Sequence, residues 1–200
     1  MSRRRRSPEE ARAEILAAAE ALLREGGVAA VQVRAVAARV GMTDAGVNHH
    51  FRGRAELLEA LLRHGGRRLR AAVEETVESW LGEEEDLQRF IAALGDIYRS
   101  GYAELALSLH SAGWRDSGSG LLEPVVLVLH QGRRSPGALE DTRLAVAALH
   151  QALALEPVFG AAFRRSAGLT SGSADDPEPI YRWWAEHLGR VLDLPSGPHG

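Results

Sequence analysis

Gly41 divides two short stretches whose apolar residues recur at spacings of three and four, and no other feature restricts the fold of this chain as much. Before it, Val33, Val36, Ala37 and Val40 share one side of a helix and leave Arg34, Ala38 and Arg39 outside. A glycine just past the last periodic residue takes the left-handed conformation that stops a helix, and Met42 is placed to fold back onto the apolar side. Thr43 and Asp44 are the candidate N-caps of a second helix through Ala45, Gly46, Val47, Asn48, His49, His50 and Phe51. Val47 and Phe51, four apart, are its expected buried anchors. Thr43, Asp44, Ala45, Gly46, Asn48 and His49 are left outside, and small residues in the first turn let the backbone come close to a partner. Two short helices, a tight turn and a basic anchor at Arg54 form the layout of a helix-turn-helix, whose second helix enters the DNA major groove by its N-terminal end.

This segment resembles the TetR/AcrR family of transcriptional regulators. There, a glycine-ended helix, a turn and a helix closing on aromatic, variable residue, His and Phe are followed by a lysine two or three residues on. Gly41, Val47, His50, Phe51, Glu56 and Leu57 fit that pattern, while Asn48 stands where the family usually has tyrosine and Arg54 where it usually has lysine. The resemblance covers roughly residues 8 to 60. It implies an all-α protein that reads DNA through Arg34, Thr43, Asp44, Ala45, Gly46, Asn48, His49, His50 and Arg54. Arg54 would neutralise a phosphate in a bidentate manner. Asn48, the only asparagine in the chain, has two readings: a pair of hydrogen bonds to adenine N6 and N7, or a surface amide against phosphate or water.

Charge points to the same end of the chain. Residues 1–64 hold 11 arginines against 8 carboxylates and so carry +3, which leaves −6 on the rest of a chain whose net charge is −3. Four of those arginines, Arg3, Arg4, Arg5 and Arg6, form a run with two readings: an arm on the phosphate backbone or in the minor groove, or a solubilising tail. All 24 basic residues are arginine, a sign of codon bias more than of selection site by site. The chain has no cysteine, hence no disulfide or thiolate chemistry, in keeping with a reducing cytoplasm. The N-terminal arginines precede no apolar leader segment, and no later run is expected to approach the roughly 18 apolar residues of a membrane span. The expected location is the cytoplasm, with no membrane partner.

Helical patterning continues along the whole chain. Ser7, Pro8 and Glu10 form a capping box with proline in the first turn, opening a helix to about Arg24 whose apolar face is Ala11, Ile15, Ala18, Ala19, Leu22 and Leu23. Gly26-Gly27 ends it. From Arg54 a longer helix runs toward Trp80 through Leu57, Leu58, Leu61, Leu62 and Leu69, and its Gly65-Gly66 pair is read as either a hinge or a close helix–helix contact. Further helices are expected over Asp86–Tyr102, Ala103–Trp114, Leu121–His130, Leu139 to about Phe163, and Glu178–Leu194, separated by Gly/Ser/Asp/Pro-rich loops. The expected organisation is an arm and helix-turn-helix domain over 1–53, a linking helix over 54–82, and a helical effector-binding and dimerisation domain over 83–200.

The last two long helices are the dimerisation candidates. Leu144, Ala147, Ala148, Gln151, Leu155, Val158 and Phe159 on one, with Ile180, Tyr181, Trp184, Leu188, Val191 and Leu192 on the other, give each more than one apolar stripe. The family resemblance further implies a homodimer on a pseudo-palindromic operator and a cavity for a small hydrophobic or amphipathic effector. Tyr98, Tyr102, His110, Trp114, His130, Phe159 and Phe163 are the candidate lining, set against plain core packing. His110, His130 and His150 are too far apart for a local metal motif, and no HExxH or Cys/His cluster occurs, so neither a metal nor another cofactor is expected. No GxSxG, GxGxxG or P-loop supports catalysis, and the Glu83–Asp86 carboxylates read as a solvated helix start. Two other readings are weighed against a ligand-released repressor: a ligand-independent architectural or co-regulatory DNA-binding protein, and an all-helical enzyme using His110 with Asp116 or Glu123.

Overall fold

The computed structural model describes residues 7–80, 87–115, 118, 120–170 and 172–194. The Arg3–Arg6 arm, the Glu83–Asp86 carboxylates, Asp116 and the C-terminal PSGPHG lie outside the described residues. Among those described the secondary structure is entirely helical: α1 (Pro8–Ala30), α2 (Val33–Val40), α3 (Asp44–His50), α4 (Arg54–Trp80), α5 (Leu87–Ile97), a π turn (Tyr98–Tyr102), α6 (Ala103–Ser111), α7 (Glu123–Gln131), α8 (Leu139–Leu155), a second π turn (Glu156–Gly160), α9 (Ala161–Ser166) and α10 (Glu178–Val191). Two compact units divide the chain. The first takes residues up to Arg67 together with Ser100–Arg115, and the second takes Arg68–Arg99 with everything from 116 onward.

In the first unit, α1 begins on the expected capping box. The Ser7 backbone N–H donates to Glu10 Oε2 at 2.8 Å and the Glu10 N–H donates to Ser7 Oγ at 3.1 Å, so two orphan donors of the first turn are satisfied reciprocally. At the other end Gly26 and Gly27 leave helical φ/ψ, and one further turn carries the chain to Ala30. The predicted face of α1 is buried at Ala11, Ile15, Ala18, Ala19 and Leu23, against α2, α3 and α6. Leu57, Leu58, Ala60 and Leu61 of α4 and Ala103, Leu105 and Leu109 of α6 are buried in the same unit. Gly65 settles which reading of the glycine pair applies: a Cβ there would lie 2.2 Å from Tyr102 Cε1, whereas one at Gly66 would meet nothing within 4 Å. Gly65 is a seat for the Tyr102 ring, whose hydroxyl donates to Glu20 at 2.9 Å, and α4 runs through the pair as one helix.

The second unit closes around Leu69 and Val73 of α4, Phe90, Ile91 and Leu94 of α5, Val125, Val126 and Leu129 of α7, Val146, Leu149 and Leu153 of α8, and Tyr181, Leu188 and Leu192 at α10. The long helix expected over Leu139–Phe163 forms, but in two parts. Pro157 has no N–H to give the preceding turn, and the chain widens there into a π turn before resuming as α9. An ion pair at 2.5 Å between Glu156 and Arg164 spans this widening, and Arg164 Nε also donates to the Ala174 carbonyl at 2.7 Å. The expectation about membrane-span length is corrected by this same stretch. Leu139–Ser166 is long and apolar enough to cross a membrane on length and composition, and only 22% of its most apolar window is buried within the chain. The reason is that polar residues here are few and sit mostly toward the two ends of the run.

The two glycines of α4 have opposite surroundings, so Ala substitution has opposite signs. Gly66→Ala adds helix propensity in open space and is expected to stabilise by about 1 kcal/mol. Gly65→Ala overpacks against the Tyr102 ring and is expected to cost about 1–3 kcal/mol. Urea unfolding of both variants beside the wild type measures the two shifts; equal shifts would mean that Tyr102 does not sit on Gly65.

Candidate nucleic-acid interface

Local chemistry makes the turn before it positions any side chain outward. Gly41 adopts φ +66°, ψ 35°, its N–H reaches the Ala38 carbonyl at 3.4 Å and the Met42 N–H reaches Ala37 at 2.9 Å. That pair of bonds is a Schellman ending, which satisfies carbonyls that α2 leaves open and redirects the chain. Thr43, extended at φ −87°, ψ 160°, then caps α3 by accepting the Gly46 N–H on its hydroxyl at 3.1 Å. Asp44 supplies a carboxylate to the first turn, where the helix dipole favours it.

Burial fixes which side of α3 faces out. Val47 is fully buried and Phe51, the extended residue that ends the helix, is 1% exposed. Thr43, Asp44, Ala45, Asn48 and His49 are exposed, and Gly46 and His50 are half-buried. The His49 and His50 rings meet edge to face at 5.5 Å. Arg34 is exposed in the first turn of α2. The expected contact residues on α2 and α3 are therefore exposed or half-buried, and one more lies at the start of α4.

That residue is Arg54. Its Nε donates to the Val31 carbonyl at 2.8 Å and a terminal nitrogen donates to the Val28 carbonyl at 2.7 Å, so the guanidinium is spent on the end of α1 instead of projecting toward a phosphate. The cause is general: a helix end offers unsatisfied carbonyls, and a guanidinium is the side chain that can take two of them at once. The exposed cation of the Phe51–Arg54 tetrad is Arg52, whose backbone N–H is held by Glu56 at 3.1 Å. The sequence carries two arginines here and gives no local signal for which one is folded inward. Arg39 is likewise committed, to Glu25 through two bonds of 2.8 and 2.7 Å; the guanidinium hydrogen bond holds the Glu25 carboxyl below the usual carboxylate range. Arg12 from α1 lies 4.1 Å over the Phe51 ring and donates to the His50 carbonyl at 2.7 Å.

The candidate effector lining divides between the two units. Tyr102, His110 and Trp114 belong to the first, with Tyr102 buried, His110 exposed and Trp114 half-buried. Tyr98, His130, Phe159 and Phe163 belong to the second. There the Tyr98 hydroxyl meets His150 Nε2 at 3.0 Å, His130 Nδ1 meets Thr142 Oγ1 at 3.2 Å, and Phe159 and Phe163 are exposed and stacked on each other at 5.7 Å. Among the described residues no group of three His, Asp or Glu side chains is arranged to hold a metal ion.

The candidate dimer faces are partly corrected. Leu144 is 64% exposed, Ala147, Ala148 and Gln151 are exposed and Leu155 is half-buried, so α8 shows an outer stripe as expected. On α10, however, Tyr181 and Leu188 turn inward: Tyr181 is fully buried with its ring against Gly95 of α5, and Leu188 is 1% exposed in the core. Burial raises the Tyr181 phenol above its ordinary range. The exposed large apolar residues of α10 are Trp183 and Val191, with Trp184 and His187 half-buried, and Trp183 stacks on His187 at 4.7 Å. Trp183 escaped the sequence reading because its neighbour Trp184 satisfies the same periodicity. A groove of about 470 Å³ between these helices is lined by Leu144, Ala145, Ala148, Trp184, Leu188 and Val191 together with Arg133, Asp141 and His187.

Comparison with known proteins bears on this arrangement. Residues 15–61 match the family model described as bacterial regulatory proteins, tetR family. No curated protein matches the chain by sequence. Among solved structures, the one described as the molecular basis for control of antibiotic production by bacterial hormones superposes with a TM-score of 0.64 at 22% identity, covering 94% of this chain and 99% of the other. A protein of unknown function from Rhodococcus sp. RHA1 gives 0.57 at 25% identity, over 94% and 97%. The multidrug binding protein EbrR, complexed with imidazole, gives 0.55 at 21%, over 92% and 96%. At such identities the structural likeness establishes a shared fold across nearly the whole chain.

With its guanidinium on two carbonyls, Arg54 acts on stability before it acts on DNA. Arg54→Ala is expected to lower unfolding free energy by about 1–3 kcal/mol, the range for hydrogen bonds from a charged donor. The slope of log affinity for DNA against log salt should stay at its wild-type value. A slope reduced by about one unit would instead place Arg54 on a phosphate.

Proposed function

Because the N-terminal domain of this chain belongs to the tetR family of bacterial regulatory proteins, we propose that the protein is a sequence-specific, homodimeric transcriptional repressor released from its operator by a small-molecule effector. DNA binding and transcription regulation come with the family. The finer reading rests above all on one observation: α3 shows an unbroken polar and small-residue face, Thr43 to His49, while Val47 and Phe51 hold its other side in the core. Thr43, Asp44, Ala45, Gly46, Asn48 and His49 enter the major groove, Arg34 and Arg52 lie on flanking phosphates, and His50 supports the helix end. Asn48 reads a base and Arg52 takes the phosphate role first expected of Arg54. Arg3–Arg6 form the arm on the backbone or minor groove.

One such helix contacts few base pairs, so selectivity requires a pair. The outward stripe of α8 (Leu144, Ala147, Ala148, Gln151, Leu155) and the outward residues of α10 (Trp183, Trp184, Val191) form the interface with a second copy, which covers the groove between them. Two recognition helices then address half-sites about 34–36 Å apart on a pseudo-palindromic operator. The functional division is a reader over 1–53, a linking helix over 54–82, and effector binding and dimerisation over 83–200. An effector that favours a conformation with mismatched half-site spacing lowers operator affinity by its differential affinity, typically about 1–3 kcal/mol. Because Ser100–Arg115 groups with the reader, this segment as well as α4 carries the shift. EbrR, described as a multidrug binding protein, supports a hydrophobic effector. The chain is read as non-catalytic and cytoplasmic.

A ligand-independent regulator is the second reading, favoured by the side-chain partners of Tyr98, Tyr102 and His130. A thermal-shift screen of hydrophobic metabolites decides between them: a compound that stabilises the protein and also weakens operator binding supports release, and stabilisation with unchanged operator affinity defeats it.

Selection from random duplexes tests the reader. The wild type is expected to enrich a two-fold symmetric sequence. Asn48→Ala should relax preference at one base position per half-site, whereas a uniform loss would put Asn48 on phosphate. Arg52→Ala should weaken all sequences alike and flatten the salt dependence by about one unit of slope.

Leu144 is open to solvent, so Leu144→Arg should leave the fold intact and leave the protein monomeric at micromolar concentration by light scattering, with operator binding lost. A Leu144→Arg protein that remains dimeric would move the interface elsewhere.

A further inference from the structure

We propose that Arg12 is a positioning residue for DNA reading: anchored on α1, it fixes the C-terminal end of α3, and with it the angle at which Thr43–His49 meet the groove, without touching DNA itself. This rests on the reading of α3 as the element that enters the groove.

α3 has only seven residues, Asp44–His50, and Phe51 after it is extended at φ −138°, ψ 122°, so the carbonyls of its last turn have few donors from its own backbone. Arg12 answers one of them, donating to the His50 carbonyl at 2.7 Å across 38 residues of sequence. The same guanidinium lies 4.1 Å from the centroid of Phe51, one of the two buried anchors of α3. Stacking and donation together fix more than a distance. The guanidinium over the ring and the hydrogen bond to the His50 carbonyl hold the end of α3 at two points, which opposes both rotation about its own axis and a swing away from α1. A positive charge is also favoured where the helix dipole is negative. Lysine could keep the charge and one bond, but it has no plane to lay on the ring.

Arg12 is half-buried with its guanidinium on His50 and Phe51, while Thr43, Asp44, Ala45, Asn48 and His49 are exposed. It therefore adds to sequence discrimination through the orientation of α3 and adds nothing to the count of phosphates neutralised. These two contributions have different experimental signatures.

The test uses the full chain on the duplex that wild type selects and on a scrambled duplex of equal length, across a salt series. Arg12→Met and Arg12→Lys are compared with wild type after far-UV circular dichroism confirms their helix content. The expected result is a fall of about tenfold in the specific-to-scrambled affinity ratio for Arg12→Met, comparable to one good base contact. Arg12→Lys should fall less, with scrambled-duplex affinity and salt slope unchanged in both. Should Arg12→Met lose helix content, Arg12→Lys decides, and any drop of about threefold or more in its ratio sustains the proposal. A ratio closer to wild type than that, or equal losses on both duplexes with the slope reduced by about one unit, overturns it. A wild type that selects no sequence at all would overturn the reading of α3 itself, an outcome visible before any variant is made.

Discussion

Burial of Val47 and Phe51 is the interaction on which the reading surface depends. A seven-residue helix is far below the roughly 12–15 residues at which isolated helices become even marginally stable in water. α3 therefore exists because its inner side is fixed to α1 and α2, its first turn is closed by Thr43, and its entry is set by the left-handed Gly41. Each outward residue inherits its direction from those few inward ones. Apart from Thr43, whose hydroxyl caps the helix, the exposed positions of α3 are thus not what holds it in place.

Features governed by neighbours in sequence could be read before any coordinates were known. The Ser7–Glu10 capping box, the Gly41 stop, the Thr43 cap and the apolar spacing of α1 all depend on groups within a turn of one another, and each takes the geometry that its residue types dictate. What could not be read depends on contacts from elsewhere in the chain. Arg52 and Arg54 are indistinguishable locally, and only the carbonyls of Val28 and Val31 at the end of α1 decide that Arg54 folds inward. Tyr181 satisfies the periodicity of an outward stripe on α10 as well as an inward one, and it is Gly95 on α5 that makes room for its ring. Pro157 foretells a disturbance in the helix after Leu139 but not its form, because the widening is held by an ion pair with Arg164, in the turns that follow. The grouping of Ser100–Arg115 with the first unit is likewise a matter of packing against α1, with no composition shift to mark it.

Arginine usage links these points. The first 64 residues carry an excess of +3, yet much of that charge is not available to a polyanion. Arg12 and Arg54 serve backbone carbonyls, and Arg39 and Arg24 are paired with Glu25 and Glu20. A guanidinium suits the carbonyl role because its donors are fixed in a plane and it remains charged at every relevant pH. Among the described residues the free cationic surface is consequently narrower than composition implies, with Arg34 on α2 and Arg52 after α3 both exposed.

At the other end of the chain the issue is apolar surface left uncovered. Leu139–Ser166 has the length and composition of a span, but its inward residues Val146, Leu149 and Leu153 already pack in the core of the second unit. One side of α8 is therefore occupied, and what remains is a stripe, not a cylinder. A bilayer would have to accept the exposed charges of Glu140, Asp141 and Arg143 in the first turns of that stripe, together with the Arg143–Glu123 pair at 2.6 Å. A second protein surface need cover only Leu144, Ala148 and their neighbours while leaving those charges at a wetted rim, which is the division of core and rim found at protein interfaces.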